Sequence, residues 1–133
     1  MYDIFDANEL LYSVLNNIEI KKAINGDVYR GSRPLNSQKE DIVVNTITIS
    51  QNYKPQIATS NTNIYAKDLQ QGVVNSTRLK EVSRLVIDVF KQHQFVGKSV
   101  KIQNQTIIKD ANDKEHYVNI RVQWNIYDSK KNN

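Results

Sequence analysis

The sequence contains no cysteine, only one tryptophan, and few glycines and prolines among its 133 residues. The absence of cysteine excludes thiol catalysis, cysteine-ligated zinc, iron–sulfur clusters and disulfide bonds. No apolar run approaches the roughly 18 residues that span a bilayer. The N-terminal segment carries acids, Asp3 and Asp6, where a signal peptide would carry positive charge. We therefore expect an intracellular protein without a membrane segment.

The residue patterns that usually mark enzymes are also missing. The four glycines are isolated from one another, so the chain has no phosphate-binding loop or dinucleotide fingerprint. The serines Ser32, Ser37 and Ser60 do not lie in the nucleophile motif of hydrolases. The acidic turn at residues 110–115 lacks the central glycine and the full ligand series of a calcium loop. We expect no catalytic activity and no cofactor.

The two histidines do not have the spacing of metal ligands. His93 and His116 are far apart in the sequence, outside any HxH or HExxH motif. We expect His93 at the end of a helix, where it would interact with the helix dipole. We expect His116 to begin a strand on the core side, with its ring hydrogen-bonded. No metal site is predicted.

The composition is that of one folded domain rich in strands. Hydrophobic residues make up 39% and charged residues 24% of the chain, and 15 Ile and 13 Val stand against 7 Leu. This excess of β-branched residues favours strands over a helix bundle. We predict a single domain over residues 1–128 and a frayed polar tail over residues 129–133.

Two segments have the periodicity of amphipathic helices. The first spans residues 6–24, with Asp6 and Glu9 as a capping box and Asn25-Gly26 at its end. The second begins at Asn75 or Ser76 and continues to about Gln94. Its predicted buried face consists of Leu79, Val82, Val86, Val89 and Phe90.

Five segments read as strands, with turns or loops between them. They span residues 28–30, 42–50, 57–67, 98–109 and 115–127. The second and third should pair as an antiparallel hairpin, whose edge is poorly protected by charge. The last has the clearest alternation and places Trp124 on the core side. The polar segment 31–41 is long for a connection and is predicted to be a functional or mobile loop.

These elements predict an α+β fold. The expected order is α-β-β-β-α-β-β, with a mainly antiparallel sheet of about five strands and both helices packed on one face. The net charge of +4 and the pI of about 9.2 leave open a small basic nucleic-acid-binding module. The basic residues are scattered, however, and phosphate binding needs them clustered. Solvent-facing tyrosines are the other support for that alternative.

Several sequence segments resemble segments of the small tail-completion and head–tail joining proteins of long-tailed bacteriophages and prophages. They are GDVYRGSRP at residues 26–34, NTNIYAKDLQQGVVNSTRLKEVSRLV at residues 61–86, and IIKDANDKEHYVNIRVQWNI at residues 107–126. The matching positions include Tyr29, Pro34 and Tyr65. The resemblance covers most of the chain and rests on structural positions, with no catalytic signature.

The resemblance implies a non-enzymatic subunit that forms a ring, of hexameric symmetry, at the head-proximal end of a phage tail. Its partners would be further copies of itself and tail-tube or connector proteins. It would be found in the cytoplasm of the bacterial host and then in the virion. On this interpretation Tyr53, Tyr65 and loop 31–41 contribute to subunit or tube contacts. Arg30, Arg33 and Lys39 are the candidates for contacting DNA in the lumen, against the alternative that these charges only solvate the surface.

Overall fold

A computed structural model describes residues 1–130 and has an α+β architecture. Its order is α1 (Ile4–Leu15), α2 (Ile18–Ala23), β1 (Val28–Arg30), β2 (Ile42–Ile49), β3 (Gln56–Lys67), α3 (Ser76–Gln92), β4 (Lys98–Lys109) and β5 (Glu115–Ile126). The five strands form one sheet in the spatial order β1-β2-β3-β5-β4. The predicted fold class is confirmed, with three helices in place of the two expected.

The first helix differs from its prediction at both ends. Asp3 is the N-cap and forms the capping box with Asp6, so α1 begins at Ile4. Asn16 ends α1, and the Asn17 side chain accepts the Ile20 N–H to start α2. Short amide side chains compete with the backbone for hydrogen bonds, which explains the break inside the predicted helix 6–24.

The sheet is antiparallel except at one edge. β2 pairs with β3, β3 with β5, and β5 with β4 in antiparallel register, which confirms the predicted hairpin. β1 runs parallel to β2 and pairs with only three of its residues, 42–44. The outer edge of β2 over residues 45–49 and the outer edge of β4 therefore carry no partner strand among residues 1–130. We call them the β2 open edge and the β4 edge.

All helices lie on one face of the sheet, and the core lies between the two layers. α1 packs against β1, β2 and β3, while α3 packs against β3 and β5. Trp124 and the predicted α3 face enter this core, with Trp124 fully buried. Its indole Nε1 donates to the Ser60 hydroxyl at 3.1 Å, and Ser60 also bonds Thr46. The predicted core position of Trp124 is confirmed.

The opposite face of the sheet is open and mainly polar. Strand residues of odd number in β3 and β5 point to it, among them Asn61, Asn63, Asn119 and Arg121. The Asn119 amide donates to Asn63 at 2.7 Å. Loop 31–41 reaches across one end of this open face. Within residues 1–130, no helix combines the length and apolar content needed to span a bilayer.

The chain after β5 turns back over α1. Lys130 forms an ion pair with Asp6 at 2.7 Å, and Ser129 accepts a hydrogen bond from Lys54. The rest of the predicted frayed tail, residues 131–133, lies outside the described residues.

Candidate interaction surfaces

Loop 31–41 is anchored to the sheet by a buried ion cluster around Arg33. The Arg33 guanidinium bonds Glu115, and its Nη1 lies 3.4 Å from an Asp41 carboxylate oxygen. Asp41 and Glu115 are both almost fully buried. Burial by itself lowers the pKa of Arg33, but the hydrogen bond and charge of Glu115 outweigh it and raise that pKa. Arg33 therefore stabilises the loop as a fixed cation.

The same guanidinium covers an aromatic pair on the open face. The Arg33 Cζ lies 3.7 Å from the centroid of the Tyr65 ring, and Tyr65 stacks on Tyr117 at 4.8 Å between centroids. Burial raises the pKa of the Tyr65 phenol. The structure thus brings together two of the predicted contact residues, Arg33 and Tyr65. Both contact other residues of the same chain, and the charge of Arg33 is neutralised by Glu115 and Asp41.

The other predicted residues lie apart from this cluster. Arg30 is on the helix side of β1, bonds both Glu9 carboxylate oxygens at 2.8–2.9 Å and covers the Tyr12 ring at 4.1 Å. Lys39 is exposed in loop 31–41. Tyr53 is 70% exposed in the turn between β2 and β3, at the far end of the sheet. The five predicted residues therefore do not form one continuous patch.

A second ion cluster fastens loop 31–41 to α3. Arg78 at the start of α3 binds Glu40 through two nitrogen atoms, and it also donates to the Ala23 carbonyl. Glu40 in turn accepts the Asn25 N–H at 3.1 Å. The hydrogen bond from Arg78 holds the pKa of Glu40 below its ordinary value of 4.5. The loop, α3 and the end of α2 are held at one point.

We expect the Glu40 contact to make stability depend on pH in the acid range. Because the folded pKa of Glu40 is depressed, its contribution is complete above the unfolded pKa of 4.5 and is lost as the pH falls through the folded pKa. Glu40→Gln should therefore lower the free energy of unfolding by about 1–3 kcal/mol at pH 7. The difference from wild type should shrink as the pH falls below 4.5. Urea unfolding at a series of pH values measures it, and a constant difference would contradict the assignment.

Gly26 is required for the close approach of this loop. A methyl group at this position would overlap the Glu40 carbonyl and the buried Asp41 carboxylate. Gly26→Ala should lower the free energy of unfolding by about 3 kcal/mol, since backbone must move to make room. Gly72, at φ 79°, has open space around it, and Gly72→Ala should cost only about 1 kcal/mol of backbone strain. Equal losses in thermal or urea unfolding would refute the steric explanation.

The helix layer leaves the second half of β4, from residue 103 on, uncovered and so forms a groove beside α3. The groove has a volume of about 710 Å³. Its floor includes Gln105 and Ile107 of β4, and Ile107 is 55% exposed. Its α3 wall carries three basic residues and one acid, namely Lys80, Arg84, Lys91 and Asp88. We call this the α3–β4 groove, and it has a partly apolar floor and a basic wall.

The opposite side of the molecule presents a helix stripe. Phe5, Glu9 and Tyr12 follow one another at i, i+4 and i+7 on α1 and so share one face. Arg30 on the edge strand β1 contacts both Glu9 and Tyr12, so this face looks toward the β1 edge. Phe5 is 72% exposed, and α1 has acidic but no basic residues. We call these three residues the α1 outer stripe.

The basic charge on the open face is distributed differently from the expectation. Lys67, Lys101 and Arg121 lie on that face of the strands. Among the described strand residues there, the only acid is Glu115, which Arg33 pairs. Arg121 is oriented by Asn61, whose side-chain oxygen lies 3.4 Å from its Nε. Sequence reasoning missed these cations, because which face they share becomes visible only from the register of β3, β4 and β5.

The histidines lie where the sequence predicted them. His93 is the C-cap of α3 and is exposed, with its ring edge-on to Phe95. His116 begins β5, and its Nδ1 lies 2.7 Å from Asp68 Oδ1. Over residues 1–130, no group of three or more acidic or histidine side chains is placed to hold a metal ion.

No protein-family model matches the chain, and a search of curated proteins finds no match either. The likeness to phage tail-completion proteins therefore stays a prediction from the sequence segments described above.

Proposed function

We propose that this protein is a non-enzymatic structural subunit of a phage or prophage, acting in tail completion or head–tail joining as a ring of identical copies. The observation that carries the proposal is the β4 edge. β4 is twelve residues long, and its middle, residues 102–108, has no charged residue. A long edge with an uncharged middle, beside a partly apolar groove, is a site for pairing with another chain.

The polar open face agrees with a subunit that works within an assembly. Its side chains are mostly amides and hydroxyls, which suit a hydrated interface with other proteins of the assembly. Loop 31–41, with Leu35 92% exposed at its surface, offers a contact for a tail-tube or connector protein. Ring closure requires a heterologous interface, in which one surface meets a different surface of the neighbour.

Two measurements test this function directly. The first is to sequence the DNA that flanks the gene. Genes for a portal or capsid protein on one side and a tail-tube protein on the other, with a long helical tape-measure protein nearby, would support it. Neighbours with metabolic roles would contradict it. The second is native mass spectrometry of the purified protein, in which rings of one defined size are expected.

The alternative is a small basic nucleic-acid-binding module, favoured by Lys67, Lys101 and Arg121 on the open face, where the only strand acid, Glu115, pairs with Arg33. On that alternative, fluorescence anisotropy with a labelled single-stranded oligonucleotide should show binding that weakens steeply with salt. Binding should be lost in Lys101→Glu/Arg121→Glu and retained in Arg30→Glu, since Arg30 lies on the helix side and is paired with Glu9. The structural-subunit proposal predicts only weak binding by the isolated protein.

A further inference from the structure

The helix layer and the sheet are offset from each other, so that their edges do not coincide on either side of the molecule. α1 and α3 cover β1, β2, β3 and β5, and β4 packs against the core only through Val100 and Ile102. The second half of β4, from residue 103 on, extends beyond the helices as the uncovered floor of the α3–β4 groove. At the other side, the α1 outer stripe projects Phe5 into solvent. One side of the molecule therefore lacks a helix, and the other side has an unburied helix face.

The strand directions allow these two sides to fit together. β2, β3, β5 and β4 are neighbours in space and alternate in direction. A second copy that repeats this order places its β1–β2 edge next to β4, where residues 45–49 of β2, which β1 does not cover, again run antiparallel to β4. The β2 open edge and the middle of the β4 edge are both free of charge, so no like charges meet. Their pairing would give hydrogen-bond partners to both rows of backbone groups.

The same placement matches the helix layers. The α1 outer stripe of the second copy then lies above β4 of the first, inside the α3–β4 groove. Its Phe5 covers Ile107 on the groove floor, and its Glu9, which pairs with Arg30 of its own chain, faces the wall that contains Lys80, Arg84 and Lys91. The apolar Phe5 on one surface of the chain therefore matches the exposed Ile107 on a different surface.

A two-fold pairing of two β4 edges fits less well. It would bring two copies of the basic α3 wall toward each other across the paired strands, at an electrostatic cost. It would also leave Phe5 and the β2 open edge uncovered. A head-to-tail contact avoids both, and it can continue from copy to copy until a ring closes.

We propose that copies of this chain assemble head to tail through one continuous sheet. The β4 edge of one copy pairs with the β2 open edge of the next, and the α1 outer stripe of that next copy fills the α3–β4 groove. This interface rests on the proposed role as an assembling subunit and specifies how the subunits join.

Cross-linking tests the interface, because a protein without cysteine allows single thiols to be introduced cleanly. Glu9→Cys and Gln105→Cys change exposed side chains on the two surfaces. The two variants, one of them isotope-labelled, are mixed and treated with a flexible bismaleimide. We expect cross-linked pairs that contain one chain of each variant, and none when either variant is treated alone.

The possible outcomes separate this interface from the proposed function. A Gln105–Gln105 cross-link would show the two-fold arrangement and overturn the head-to-tail contact. If native mass spectrometry shows oligomers but the mixed cross-link does not form, the proposed interface is overturned and self-assembly is still supported. A protein that stays monomeric at every concentration would overturn both.

A substitution at the α1 outer stripe provides a second measurement. Phe5→Lys removes an apolar ring and places a positive charge against the basic groove wall, so self-association should weaken about tenfold or more. Leu69→Lys is the matched control, since Leu69 is similarly exposed at 68% but lies outside both edges. Circular dichroism checks that both variants fold. Equal association of Phe5→Lys and Leu69→Lys in sedimentation experiments would overturn the proposed contact.

Discussion

Replacing Arg33 with alanine should lower the free energy of unfolding by about 3–5 kcal/mol. The substitution leaves the carboxylates of Asp41 and Glu115 buried without their cation, and an uncompensated buried charge is costly. It also removes the guanidinium that covers the Tyr65 ring. Since small domains have a total stability of about 5–15 kcal/mol, we expect a marginally folded protein. Urea unfolding followed by circular dichroism measures the loss.

Arg30→Ala is the matched control for this prediction. Arg30 also pairs with a carboxylate and covers a tyrosine ring, but its side chain and that of Glu9 are about half exposed. Exposed ion pairs contribute about 1 kcal/mol or less. Arg33→Lys should recover only part of the stability, because lysine cannot reproduce the guanidinium fork. Similar losses for Arg33→Ala and Arg30→Ala would show that the buried cluster is not the main anchor of loop 31–41.

Replacing Trp124 with alanine should lower the free energy of unfolding by about 3–5 kcal/mol through the cavity it leaves. The indole is fully buried, and Phe95 packs edge-on against it at 5.3 Å between centroids. Phe95 belongs to the connection between α3 and β4. Loss of the ring should therefore loosen this connection as well as the core, and the proposed self-association should weaken with stability.

Trp124→Phe separates packing from hydrogen bonding at this site. The phenyl ring retains most of the apolar volume but cannot donate to Ser60, so we expect a loss of about 1–2 kcal/mol. Because Trp124 is the only tryptophan, far-UV circular dichroism must replace fluorescence as the probe. A loss in Trp124→Phe as large as in Trp124→Ala would assign the effect to the hydrogen bond.

The anchoring of loop 31–41 changes how its role can be tested. The length and polarity of the segment suggest that a short Gly/Ser turn could replace it without harm to the fold. In the structure, Arg33 and Glu40 within this loop bind Glu115 and Arg78 elsewhere. Replacing the whole loop would remove these contacts and destabilise the protein. Leu35, at 92% exposed, is the better site for testing partner contacts without disturbing the fold.

Local sequence patterns predicted most elements because each pattern has a direct physical cause. Alternation of apolar residues in 115–127 and β-branched runs in 42–50 identified strands that the structure contains within one residue at each end. Apolar periodicity and a cap at Asn75 or Ser76 predicted a helix to about Gln94, and in the structure Asn75 is the N-cap. The prediction was wrong around residues 3–17, where several Asp and Asn residues could each cap a helix and only packing selects among them.

The composition and periodicity of this sequence determined its α+β class, its antiparallel hairpin and the buried position of Trp124. These properties depend on neighbours along the chain, where spacing alone sets which side chains share a face. Only the tertiary structure decided that Asp41 and Glu115 neutralise Arg33 and that Lys101 and Arg121 share a face without free acids. It also decided that β4 is the edge strand and that its second half lies uncovered. Those outcomes depend on the order and register of strands distant in sequence, because long-range pairing decides which charges meet and which edges stay open.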